Sequence, residues 1–470
     1  MEEVTEVEMT AIESMVKHLA KMKFEDIPEA TVERQKDLLI DTLGVAIAGS
    51  KAPGVKQVID LLKEIGGREE SSILNWGGKF PSFLAAMANA LMAHALDFDD
   101  MHEKAGIHAN VCVIPAALAM AERVGGVDGR TFLTAVILGI DLICRMGVSI
   151  PLARGWHATT TFGIFGATIA SSKILGLDEK KMANALGIAY SQSSGNRQGR
   201  LEGTLTKRLQ VALSVKSGVL CSILADRDLT GPKKILEGDW GMLRLYGDPQ
   251  SIEDQDKIVE SLTKGLGEVF LGDELSIKPY PSCKATHTPI YAALNLMKEE
   301  RIESEHIEEV EVFVSKGCYQ TAGRPFEIRT DPQVDAQFSI PYTVATAILM
   351  GKVGLQDFTE AAIKDPRRIA LAKKVRVSID PALQEPSTNV VNLESRLIIK
   401  GQGKNYSCRA SVSKGHPECP MSPEEIFTKF ENCLRFGKND FSPRRIRQAF
   451  DTMKDLEEVE DVRTLPALLS

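Results

Sequence analysis

From His94 to His108 the chain reads HALDFDDMHEKAGIH, with three histidines and four acids in fifteen residues, directly after an apolar, alanine-rich run. Imidazoles titrate near neutrality and carboxylates accept protons or cations. The composition therefore admits acid–base catalysis, metal ligation, or ordinary hydrogen-bonded polar groups at the end of a buried helix. A helix continuing from about Ser82 would set His94 and Asp97 three residues apart on one face, able to share a site. A metal-dependent hydrolase or lyase would draw its ligands from His94, Asp97, His102 and His108. Asp99 and Asp100 offer further donors, yet no H-E-x-x-H or comparable spacing is present, and adjacent acids commonly cap helices or make turns. No metal is assigned.

Three other segments carry groups of the same kind. ARGWHATTTFG sets His157 just before a threonine-rich helix start, where free backbone N–H groups could hold a carboxylate. TLTKRLQ places Lys207 and Arg208 ahead of an apolar helix. IKPYPSCKATH puts Lys278 in a proline-stiffened stretch, followed by Lys284 and His287. Lysines in such places are usually solvated charges, and a histidine beside a helix start can serve packing alone.

The elements that must position these groups differ along the chain. Up to about Gly272 apolar residues recur at three- and four-residue spacing, in runs such as TVERQKDLLIDTLGVAIAG, SFLAAMANALMAHAL and GRTFLTAVILGIDLICRMG. Several are apolar on nearly every face, as helices surrounded by helices are, and Gly163, Gly166, Ala167 and Ala170 permit close approach. Gly176 stops one helix and Asp178 caps the next. After Lys278, HIEEVEVFVSKG, VVNLESRLIIKG and NYSCRASVSKG alternate as half-buried antiparallel strands do, around helices in THTPIYAALNLMKEE and DAQFSIPYTVATAILMG. Helix returns at the end, where Ser422 caps, Pro423 takes the first helical position and Glu425 closes a capping box; Ser442 and Pro443 repeat the start. The expected fold is mainly α: a large all-helical domain from residues 1–272 and 408–470, and a smaller α+β lid over 273–407.

Composition excludes several classes. Hydrophobic residues make up 43% and charged residues 26%, as in ordinary folded proteins, and 470 residues exceed what a single core holds. Acids outnumber bases 64 to 56 and no basic stripe with aromatics appears, so nucleic acid is not an expected partner. No apolar run approaches the roughly 18 residues of a membrane span, and MEEVTEVEM is acidic where a signal peptide is basic. No membrane partner and a cytoplasmic location are expected. Eight cysteines without any C-x-x-C pair read as reduced thiols and leave no iron–sulfur framework.

Taken in order, HALDFDDMHEKAGIHANVCVIPAALAMAE, GWHATTTFGIFGATIASSKILGLDEKKMANALGIAYSQSSG, TLTKRLQ and IKPYPSCKATHTPIYAAL resemble the successive hallmark segments of the MmgE/PrpD family. That family includes 2-methylcitrate dehydratase, cis-aconitate decarboxylase and iminodisuccinate epimerase. The resemblance implies a helical domain built from both chain ends, an α+β lid, a homodimer and no required cofactor. It also implies a small di- or tricarboxylate substrate and a proton removed beside a carboxylate. Its active-site positions fall on Asp97, His108, His157, Lys207 and Lys278, with Met101, Arg208 and His287 as substrate-binding neighbours. On this reading the two histidines move protons, the lysines clamp carboxylates, and Asp97 orients a histidine. A polyanion entering a net-negative protein calls for local positive potential where the segments converge.

Two positions depart from the family pattern. Met101 follows the Asp-Asp pair where threonine is usual, and Gln210 replaces the histidine of K-x-L-H-P-G, so this pocket should favour a more apolar group beside Met101. The expected function is a cofactor-independent carbon–oxygen lyase most like 2-methylcitrate dehydratase. An epimerase or decarboxylase using the same site, a metal enzyme, and a non-catalytic carboxylate-binding dimer are the alternatives.

Overall fold

The computed structural model describes residues 9–252, 254–329, 331–385 and 391–470. Its centre is the helix Ala158–Ile174, buried on nearly every side and packed by Asn110–Arg123, Gly129–Ser149 and Thr206–Asp226. Small residues make this possible: a Cβ on Gly166 would lie 2.2 Å from the Ile143 side chain, so only glycine lets these two helices approach so closely. Ser82–His94 and Glu29–Gly49 complete the body, and Pro423–Phe436 returns to pack on Glu29–Gly49. The caps form at Asp178, Ser422 and Ser442, each accepting a backbone N–H three residues on.

Among the described residues two large apolar cores separate along the chain. One draws on residues between Ala11 and Ile277 and again between Ile426 and Leu469; the other lies between Tyr280 and Ala410. Each large aliphatic side chain buried in them contributes about 1.5–3 kcal/mol. The second core lies beneath a four-stranded sheet ordered Val375–Ile379, Ile307–Val314, Ser395–Gly401, Lys404–Ala410. The sheet is mixed rather than wholly antiparallel, because Val375–Ile379 runs parallel to Ile307–Val314 at an edge. The expected helix in DAQFSIPYTVATAILMG is two, Pro332–Gln337 and Ile340–Met350, because Ser339 caps a fresh start.

The helical body also contains two-residue ladders. One pairs Met101 with Ser276 and His102 with Leu275, drawing the segment that carries Lys278 against the histidine-rich loop.

The reading that nothing approaches a membrane span holds only for unbroken runs. Gly129–Ser149 and Thr206–Asp226 have mean hydropathies of 1.8 and 1.4 and are long and apolar enough to cross a membrane by length and composition; 83% and 56% of their apolar windows are buried within the protein. The bent pair Glu29–Lys51 and Val55–Ile65 passes the same test.

Candidate active site

The Ser82–His94 helix ends at its histidine, and Asp97 adopts φ +51°, a left-handed backbone that aspartate tolerates better than most residues. His94 and Asp97 therefore do not share a helix face. His94 Nδ1 instead meets Asp99 Oδ2 at 2.8 Å, and that same oxygen is 3.0 Å from His108 Nδ1. His108 Nδ1 also lies 2.6 Å from the Asp100 carbonyl. With two oxygens facing it, Nδ1 must carry a hydrogen, and Nε2 is the ring nitrogen that the Asp99 and Asp100 oxygens do not hold. Burial opposes ionisation of Asp99, but the two imidazoles prevail and hold its carboxyl well below the usual range. Asp100 accepts from the Ala109 and Asn110 N–H groups and thereby caps the Asn110–Arg123 helix; burial and then Asp99 push its carboxyl up to about 6.

Asp97 has a different task from the one its spacing suggested. It orients no histidine; Lys207 Nζ donates to its Oδ1 at 2.6 Å, and Lys278 Nζ donates to its backbone carbonyl at 3.0 Å and to Oδ2 at 3.3 Å. All three groups are buried. Burial penalises the Asp97 carboxylate, yet the lysines Lys207 and Lys278 keep it ionised far below its ordinary range, and Lys278 is in turn held above its own. The reason is the left-handed turn, which sends Asp97 toward the lysines and leaves Asp99 to the histidines.

His157 occupies the N-cap of Ala158–Ile174, with Nδ1 2.7 Å from Thr160 Oγ1. Its ring lies 6.3 Å from that of His94, which is 5.0 Å from that of His108. Burial, and then the neighbouring His94 and Lys207, depress the His157 pKa well below 6.5, so the imidazole is neutral at physiological pH. A base with a depressed pKa is protonated, and so silenced, only at lower pH. The acidic limb of kcat/KM is therefore expected below about pH 6.5, the free-imidazole value; a pH–rate profile with its limb at or above that value would remove His157 as the base.

These groups open on one cavity of about 860 Å³, its mouth included. Asp97, Met101, His108, His157, Lys207 and Lys278 all line it. Five of its side chains are cationic, Arg197, Arg200, Lys207, Lys278 and Lys284, against the carboxylates of Asp97 and Glu103, so the wall is positive although the whole chain is negative.

Two expected substrate contacts are absent from the wall. Arg208 is buried and donates to the Pro53 carbonyl at 3.3 Å, because its place on Thr206–Asp226 points it away from the cavity. His287 is fully buried, with Nε2 3.1 Å from the Ser282 carbonyl and its ring against Tyr280, which makes it a packing histidine. The metal set His94, Asp97, His102 and His108 does not assemble either. Lysines occupy Asp97, and the short ladder turns His102 toward Glu274. Among the described residues the grouping with ligand-like proximity is His94, Asp99 and His108, whose donor atoms lie within 4.8 Å of one another and are joined through Asp99 Oδ2, while His94 Nε2 and Asp99 Oδ1 have no hydrogen-bond partner.

Sequence reasoning counted Asp99 only as a possible metal donor or cap, passed over Glu103, Arg197 and Arg200 as site residues, and read Lys284 as a solvated charge. Lys284 is buried and paired with Glu103 at 3.0 Å. The available signal for the arginines was their recurrence at three-residue spacing in the polar loop SSGNRQGR.

Comparison with known proteins covers most of the chain. Residues 13–255 match the MmgE/PrpD N-terminal domain and residues 280–453 the MmgE/PrpD C-terminal domain. Curated relatives include the cis-aconitate decarboxylase of Aspergillus terreus, 27% identical over 95% of this chain and 93% of its own. Those of Homo sapiens and Mus musculus are each 26% identical over 97% of this chain, covering 94% and 93% of their own lengths.

Proposed function

The chain belongs to the MmgE/PrpD family, and we propose from its site that it is a lyase acting on a small polycarboxylate by proton transfer at a carbon beside a carboxylate. The observation that carries this reading is that His108 and His157 open on the same cavity, whose remaining charged groups are mostly cations. A carbon flanked by carboxylates is a weak acid. Its deprotonation needs a nearby base, and the charge that develops on the carboxylate needs cations in a site of low dielectric. His157 supplies a neutral base and His108 a second imidazole on the same wall; Lys207 and Lys278, fixed by Asp97, supply the charge without having to reorganise.

Loss of water and loss of carbon dioxide both pass through a carbanion beside a carboxylate, formed by proton removal in the first and by C–C cleavage in the second. In dehydration the base takes the proton and hydroxide leaves with a proton from a second group. In decarboxylation the C–C bond breaks, carbon dioxide leaves, the electron pair stays on carbon, and a solvent proton relayed through an imidazole ends on that carbon. The names of the relatives support carbon dioxide loss over the dehydration first expected from the family resemblance.

The test is proton NMR of the protein in deuterated water with methylcitrate, citrate, cis-aconitate and substituted succinates. Solvent deuterium should enter at a carbon beside a carboxylate of at least one of them. A fall in carboxylate count with carbon dioxide release identifies the carboxy-lyase, and new vinyl signals with an intact carboxylate count identify the hydro-lyase. No deuterium uptake and no conversion across the panel would defeat the proposal.

A further inference from the structure

Three of the five cavity cations already have counter-charges: Lys207 and Lys278 share Asp97, and Lys284 has Glu103. Arg197 and Arg200 differ. Both are half-buried on the wall, and neither guanidinium has a hydrogen bond or ion pair with any described residue. A guanidinium partly withdrawn from water is unfavourable until an anion completes it. Burial, followed by the proximity of Arg200, draws the Arg197 pKa down to about 10.

The loop that carries them is built to hold this position. Trp156 and Asn196 form an isolated antiparallel bridge, the His157 N–H donates to the Gly195 carbonyl at 3.2 Å, and the Arg197 N–H donates to the Gly155 carbonyl at 2.9 Å. Gly195 has φ +116°, and a Cβ there would lie 2.5 Å from Thr160, so the loop closes on the helix start only with glycine. Gln210 grips the backbone of Asn196 on both sides of its Cα: the Asn196 N–H donates to Oε1 and Nε2 donates to the Asn196 carbonyl, both at 3.0 Å. An amide places its donor and acceptor side by side, which the ring of a histidine does not. The departure at Gln210 thus acts on the arginine loop and is not a loss from the cavity wall. Met101, Phe338, Val391 and Leu393 give the cavity an apolar surface.

We propose that Arg197 and Arg200 bind a substrate carboxylate remote from the reacting carbon, with the Met101 and Phe338 surface taking the hydrocarbon segment between the two. This rests on the lyase reading and narrows its substrate class to polycarboxylates with a third or widely spaced carboxylate and no hydroxyl directed at Met101.

The test is calorimetric binding of two unreactive probes, propane-1,2,3-tricarboxylate and succinate, to the full chain and to Arg197→Gln, Arg200→Gln and the double variant. The wild type should bind the tricarboxylate at least about tenfold more tightly than succinate, since a charge-assisted pair is lost with the third carboxylate. The double variant should bring the two affinities within about threefold of each other, and Arg197→Lys should restore part of the difference. A preference that survives in the double variant would overturn the assignment, as would wild-type protein that binds neither probe at about 10 mM. Melting temperatures check folding. Because neither probe reacts, deuterium uptake without loss of preference would leave the lyase standing and remove only the anchor. Loss of preference without deuterium uptake would do the reverse.

Discussion

Replacing His157 with alanine is expected to lower turnover by about two to four powers of ten while leaving the melting temperature close to that of the wild type. The histidine is half-buried at a helix N-cap, its side chain makes no capping bond, and among the described residues its side chain's one hydrogen bond is to Thr160 Oγ1. Removing it takes away a proton carrier at the cavity wall without opening a hole in the main core. Deuterium uptake by any reactive substrate should fall in parallel with turnover. An H157A protein that exchanges and converts substrate at the wild-type rate would show that the proton moves elsewhere, and His108 would be the remaining imidazole on that wall.

Asp97→Asn should have the largest effect on folding. One carboxylate is the counter-ion of two buried ammonium groups, so neutralising it strands both, with a cost of about 3–5 kcal/mol. Thermal melting should show a clear drop, and activity should be lost as the lysines move off their positions. The double variant Asp97→Asn with Lys278→Met should melt above the sum of the separate losses, since it removes one of the stranded charges. Strict additivity, or an Asp97→Asn protein as stable as the wild type, would contradict the pairing.

The residues that could do chemistry were legible in the sequence; their connections were less so. Asp97, His108, His157, Lys207 and Lys278, named from the family resemblance, all reach the cavity. What each touches depends on backbone that side-chain periodicity does not report. The left-handed turn at Asp97 exchanges its partner for that of Asp99, so the carboxylate expected beside a histidine holds lysines instead. Arg208 and His287 were drawn in by nearness to the motifs, yet on a helix or at its start one residue's difference in direction separates cavity from core. The helical body was readable because its helices are long and apolar. Val375–Ile379 escaped notice because, as an edge strand, it has one fully buried residue of five and little apolar pattern to display. Arg197 caps and Arg200 lies within the one-turn helix Gln198–Leu201, which is too short for periodicity to signal direction.

Lys429 lies beneath the turn from Asp97 to Asp100, where its Nζ donates to the Phe98 carbonyl at 3.0 Å and pairs with Asp41 at 2.5 Å. It is 331 residues downstream of the carbonyl it supports. During synthesis, a ribosome will have delivered every proton carrier and every cation of the pocket long before that lysine emerges, and Asp41 must wait all that time without its counter-charge. Activity on a translating ribosome should therefore appear late and abruptly, and chains stalled short of residue 429 should be clients for chaperones rather than partial enzymes.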